Sequence, residues 1–71
     1  MLTTTDRALF QAIVSRDGNA LRQAVPEGVT RQLMVGSEVY TIRREQRDGR
    51  DIIIVRENGR FVFSESRPEN Y

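Results

Sequence analysis

Between Thr3 and Val25 the apolar residues recur at helical spacing. Leu9, Phe10, Ile13 and Val14 fall at i, i+1, i+4 and i+5 and form one stripe. The run Thr3-Thr4-Thr5 supplies an N-cap, and Asp6 suits the positive end of the helix dipole. Asp17-Gly18-Asn19 predicts a stop followed by a new cap, after which Ala20, Leu21, Ala24 and Val25 continue the stripe. One broken helix or two short ones are therefore predicted over 4–25. Pro26 ends the segment, and Val25-Pro26-Glu27-Gly28 predicts a turn with Pro at its second position.

From Val29 onward the texture changes to β-prone segments separated by two-residue turns: Gly36-Ser37, Asp48-Gly49 and Asn58-Gly59. Four antiparallel strands follow, over 30–35, 38–46, 51–57 and 60–65, with a polar tail over 66–71. The predicted class is α+β, one or two N-terminal helices packed on a four-stranded antiparallel β-meander.

Registers counted outward from the Asp-Gly and Asn-Gly turns assign side chains to faces. Across the first, Ile42 meets Val55, Arg43 meets Ile54 and Arg44 meets Ile53. Across the second, Val55 is expected opposite Val62, Ile54 opposite Phe63 and Arg56 opposite Phe61. One face then carries Tyr40, Ile42, Ile53, Val55 and Val62. The other carries Val39, Ile52, Ile54, Phe61 and Phe63, interleaved with Thr41, Arg43 and Arg56. Ile52-Ile53-Ile54-Val55 is apolar on both sides, as in a strand covered on both faces. The helical segment covers one face only, so the second must meet another copy, a partner protein or a ligand.

Size sharpens this requirement. A chain of 71 residues supports one domain (1–71) and buries only about 60% of its unfolded surface. It has no cysteine and no histidine, which removes disulfides, thiolate or imidazole metal sites and the usual triad base. Lysine is absent as well, so there is no Schiff base and no P-loop lysine. The residues imply no cofactor and no metal. The longest aliphatic run is four residues, against the roughly 20 a membrane helix needs. The first residues lack the basic and apolar regions of a secretory signal, and the expected compartment is the cytoplasm.

All eleven basic residues are arginine, against ten acids, for a net charge of +1. Six of the eleven lie between Arg43 and Arg60, accompanied by four acids. The charged run from Arg43 to Asp51 reads as a hairpin tip whose charges pair with one another in solvent. Catalysis has little to work with: Tyr40 or Tyr71 beside Arg43 is the nearest approach to a metal-free ribonuclease, and nothing fixes their geometry. The leading reading is a non-enzymatic protein-interaction module. It would be a small adaptor, structural component or inhibitor of the kind phages and mobile elements encode, self-associating as a homodimer through the uncovered sheet face or an edge. The expected contact is apolar at Phe61, Phe63, Ile54 and Val39, rimmed by Arg43, Arg56, Arg47 and Arg50. The alternative is a small nucleic-acid-binding protein, stacking bases on Phe61 and Phe63 or gripping phosphates with the arginine-rich hairpin.

Overall fold

The computed structural model describes residues 2–69; the last two positions of the expected tail, Tyr71 among them, lie outside these. Helix α1 (Thr4–Ser15) starts as expected: the Thr3 hydroxyl accepts from the Asp6 N–H at 3.0 Å. It ends at Arg16, which takes the left-handed conformation (φ 55°). The Asp17 carboxylate then caps α2 (Gly18–Ala24), accepting from the Ala20 N–H at 3.1 Å. There are thus two helices. A Cβ at Gly18 would meet the Glu65 carboxylate, the end of a side chain that would have to move aside. The following turn lies one residue later than Pro26 suggested: the Val29 N–H donates to the Pro26 carbonyl at 3.1 Å, and Gly28 takes the position with φ +74°. A left-handed residue is required there, and glycine rather than proline sets the frame.

The strands are β1 (Thr30–Val35), β2 (Glu38–Arg47), β3 (Arg50–Glu57) and β4 (Arg60–Pro68), hydrogen-bonded in that order as an antiparallel meander. The fold is α+β. Asp48, Gly49, Asn58 and Gly59 all have positive φ, as type I′ turns require. β4 runs three residues past its predicted end. Ser66 pairs with Ile52, Pro68 pairs with Arg50, and the Glu69 N–H reaches the Gly49 carbonyl at 2.9 Å. The expected polar tail is therefore strand through Pro68. Its residues carry no apolar periodicity, and the ladder offered by β3 orders them.

The β2–β3 register is as counted, with Ile42 opposite Val55 and Arg43 opposite Ile54. The β3–β4 register is not. Arg56 faces Phe61 as expected, but Val55 then faces Phe63 and Ile54 faces Ser64, leaving Val62 as an extra residue in a bulge. Phe63 is thereby carried to the helical side, where it is 6% exposed. Val62 also packs against the core from that side.

Leu9 and Ile13 of α1 and Leu21 and Val25 of the α2 end meet Leu33, Ile42, Ile53, Val55 and Phe63 from the sheet. All of the sheet residues in this core point to one side. Among the described residues no helix is long and apolar enough to cross a membrane.

Candidate interaction surface

The opposite, outer face of the sheet is covered by no part of the described chain. Strand parity and register arrange it in rows. Met34 lies beside Val39; Gln32, Thr41, Arg56 and Phe61 form the next row; Thr30, Arg43, Ile54 and Ser64 the third. Glu45, Ile52 and Ser66 follow, and Arg47, Arg50 and Pro68 close the face. Phe61 is 63% exposed and Met34 62% exposed. Val39, Ile52, Ile54 and Arg56 are half-buried by their neighbours on the sheet, while Arg43, Arg47 and Arg50 are exposed.

Seven of the eight expected contact residues thus share one surface. Phe63 does not: it is a core residue on the other side, its ring covered by the Arg16 guanidinium at 5.2 Å from the centroid. The pair of stacking aromatics expected on one face is reduced to a single ring. The bulge at Val62 is the cause, since one extra residue reverses the parity of everything after it.

The arginines differ in how they are held. Arg43 and Arg47 both approach Glu45, at 3.4 and 3.1 Å. Arg50 donates through Nε to the Ser66 hydroxyl. The Arg56 side chain makes no hydrogen bond or ion pair among the described residues and stands directly across from Phe61. Outer strand positions therefore hold four arginines and one glutamate, on a chain whose net charge is +1.

Two charges of the supposed solvent-exposed tip face inward instead. Asp51 is 6% exposed and Arg22, on α2, 5% exposed. The Asp51 carboxylate accepts from Arg22 Nε at 3.1 Å, and from Arg44 Nε and Nη2 at 3.0 and 2.9 Å. Arg22 also bonds the Glu65 carboxylate and the backbone carbonyl of Asp51. Arg44 Nη1 donates to the carbonyls of Arg22 and Val25 at 2.9 and 3.1 Å, closing the C-terminal end of α2. Burial alone would push the Asp51 carboxyl up. The hydrogen bonds and charge of Arg44, with the charges of Arg22 and Arg67, outweigh it and hold the carboxyl below the ordinary carboxylate range. This cluster is a structural clamp between α2 and the sheet. Parity was the signal that could have found it, because Arg44 counted opposite Ile53 belongs to the core face, where a charge requires a partner.

Tyr40 is likewise committed. Its ring lies 5.6 Å from that of Phe10, and its hydroxyl donates to Glu57 Oε2. That bond, with burial and the charges of Glu57 and Glu38, raises the phenol above its ordinary value. Tyr40 and Arg43 lie on opposite faces of β2, so they cannot form the pairing the ribonuclease reading needs. Among the described residues no three acidic side chains are placed to hold a metal ion.

No protein-family model, curated protein or solved structure matches this chain. The functional reading rests on the surface itself.

Proposed function

We propose that the chain is a non-enzymatic protein-interaction module, acting in the cytoplasm, whose working surface is the outer face of the sheet. The observation that carries this reading is the exposure of Phe61 and Met34 on an ordered, uncovered face, around the half-buried aliphatics Val39, Ile52 and Ile54. Large apolar side chains gathered on one surface and rimmed by arginine are what an interface core needs. The charge on the face refines the expectation of a homodimer: two faces each carrying four arginines and one glutamate repel when stacked. The face therefore suits an acidic partner protein better than a second copy.

Affinity capture from the native host tests this, with the intact chain and the Phe61→Ser/Ile54→Ser variant as paired baits. The reading expects at least one protein retained by the intact chain and lost with the variant. Identical sets on both baits would sink it. The nucleic-acid reading keeps one supporting observation, the Arg56 guanidinium, unpaired among the described residues and directly across from the exposed Phe61 ring. Fluorescence anisotropy with labelled single-stranded and duplex oligonucleotides at low salt separates the two readings, because nucleic-acid binding must appear there and weaken steeply as salt is added.

A further inference from the structure

We propose that the free edge of β1 pairs with the same edge of a second copy, joining two sheets into one of eight strands. This is independent of the outer-face reading, with which it shares only residues of β1. The two edges of the sheet are built differently. β4 is guarded by the Val62 bulge and by Pro68, and its Glu65 carbonyl is occupied by Arg22 Nη2 at 3.3 Å. β1 has none of these devices. Thr-Arg-Gln-Leu-Met-Val contains no proline, glycine or bulge, and one charge, Arg31. An open flat edge is a template for another strand, and natural sheets usually blunt one that has no partner.

The hydrogen-bonding frame limits how a copy can add. Val35 and Glu38 close a two-residue turn, and the Arg44 N–H donates to the Val29 carbonyl at 3.1 Å. The odd-numbered residues of β1 thus bond to β2, and Thr30, Gln32 and Met34 turn their N–H and C=O groups to the free edge. A two-fold pairing must also keep like faces together, which allows few registers. Centred on Leu33, it exchanges hydrogen bonds between Gln32 and Met34 of the two copies, sets the two Leu33 side chains together, and brings each Arg31 opposite Val35. Centred on Gln32, it would drive Arg31 against buried Leu33 instead.

A hollow of about 570 Å³ lies along this edge, bounded by Leu2 and Asp6 of the N-terminal turn and by residues 32–36. In the Leu33-centred register the incoming Arg31 enters that hollow beside Val35, on the side where Asp6 stands. Symmetry repeats the Arg31–Asp6 pairing, so the only charge on β1 finds a counter-charge in each copy. This complementarity, together with the leucine contact, points to a second copy as the occupant.

Sedimentation velocity on the full chain, over about 1 to 100 µM, tests the pairing. The intact chain is expected to pass from monomer to dimer. Gln32→Pro removes an N–H that the monomer does not use, and is expected to stay monomeric with an unchanged far-ultraviolet spectrum. Asp6→Arg and Arg31→Asp should each weaken dimerisation about tenfold, and the double exchange should restore it. Phe61→Ser should leave the dimer intact. A strict monomer at the highest concentration, a dimer indifferent to Gln32→Pro, or a dimer lost with Phe61→Ser would each overturn the edge pairing. The last result would show a face-to-face dimer instead.

Discussion

Asp51 joins α2 to the sheet through the arginines on either side of it. It is buried between two guanidinium groups, and each of its oxygens accepts from an arginine. Removing one member of such a set leaves the others charged without compensation, which costs roughly 3–5 kcal/mol. A domain of this size has a total stability of that order. Asp51→Asn is therefore expected to lower the urea midpoint at neutral pH severely. The acid limb follows from the same contacts. The folded-state carboxyl titrates below its unfolded value, so its stabilisation is complete above about pH 4 and is lost as pH falls through the folded value. Urea titrations at pH 7 and pH 3 should show a smaller pH effect in Asp51→Asn than in the parent. An equal effect would mean that Asp51 is no acid-sensitive support. The dense charge between Arg43 and Asp51 obscured this role, because local composition cannot distinguish a solvated charge from one that a distant helix covers. Arg22 lies 29 positions from Asp51, and no local pattern connects them.

The helices, the three hairpins and the β2–β3 register were legible because each rests on a local signal: a cap, an Asp-Gly or Asn-Gly pair, a period. The bulge was not, since nothing near Val62 marks it. What selects it is a comparison across the sheet. Without it, the turn at Asn58-Gly59 would send Phe63 to the outer face, whereas one extra residue lets both Val62 and Phe63 pack toward the helices. The same displacement puts Glu65 on the inner side, where it reaches Arg22. This account predicts opposite results from two single-residue deletions in β4. Deleting Val62 leaves Phe61 opposite Arg56 and Phe63 opposite Val55 in a plain ladder, and should cost only about 1–2 kcal/mol of side-chain burial. Deleting exposed Ser64 reverses every later residue and turns Glu65 outward, away from Arg22. Its urea midpoint should fall well below that of the Val62 deletion, and the reverse order would refute this explanation of the bulge.

At the scale of the molecule, one helical layer on one sheet leaves the charge unevenly divided. The outer strand positions carry an excess of three positive charges, so the rest of a chain with net charge +1 is on balance acidic. A nearly neutral protein with this distribution presents a strongly basic face to any surface it meets, and a negatively charged surface orients it. The consequence can be measured before a partner is known. On a sulfonate cation exchanger at pH 7 the chain should be retained more firmly than its net charge suggests. Arg50→Gln/Arg56→Gln removes two charges from the outer face. Arg7→Gln/Arg60→Gln removes two from α1 and from the helical side of β4, giving the same net charge. If the face governs adhesion, the first pair elutes at clearly lower salt than the second. Because contacts with a charged surface weaken with ionic strength over a Debye length of about 10 Å at 0.1 M, the gap between the variants should close as salt rises. Equal elution of the two variants would show that the arginines of the outer face do not act together, and would remove the argument for an acidic partner.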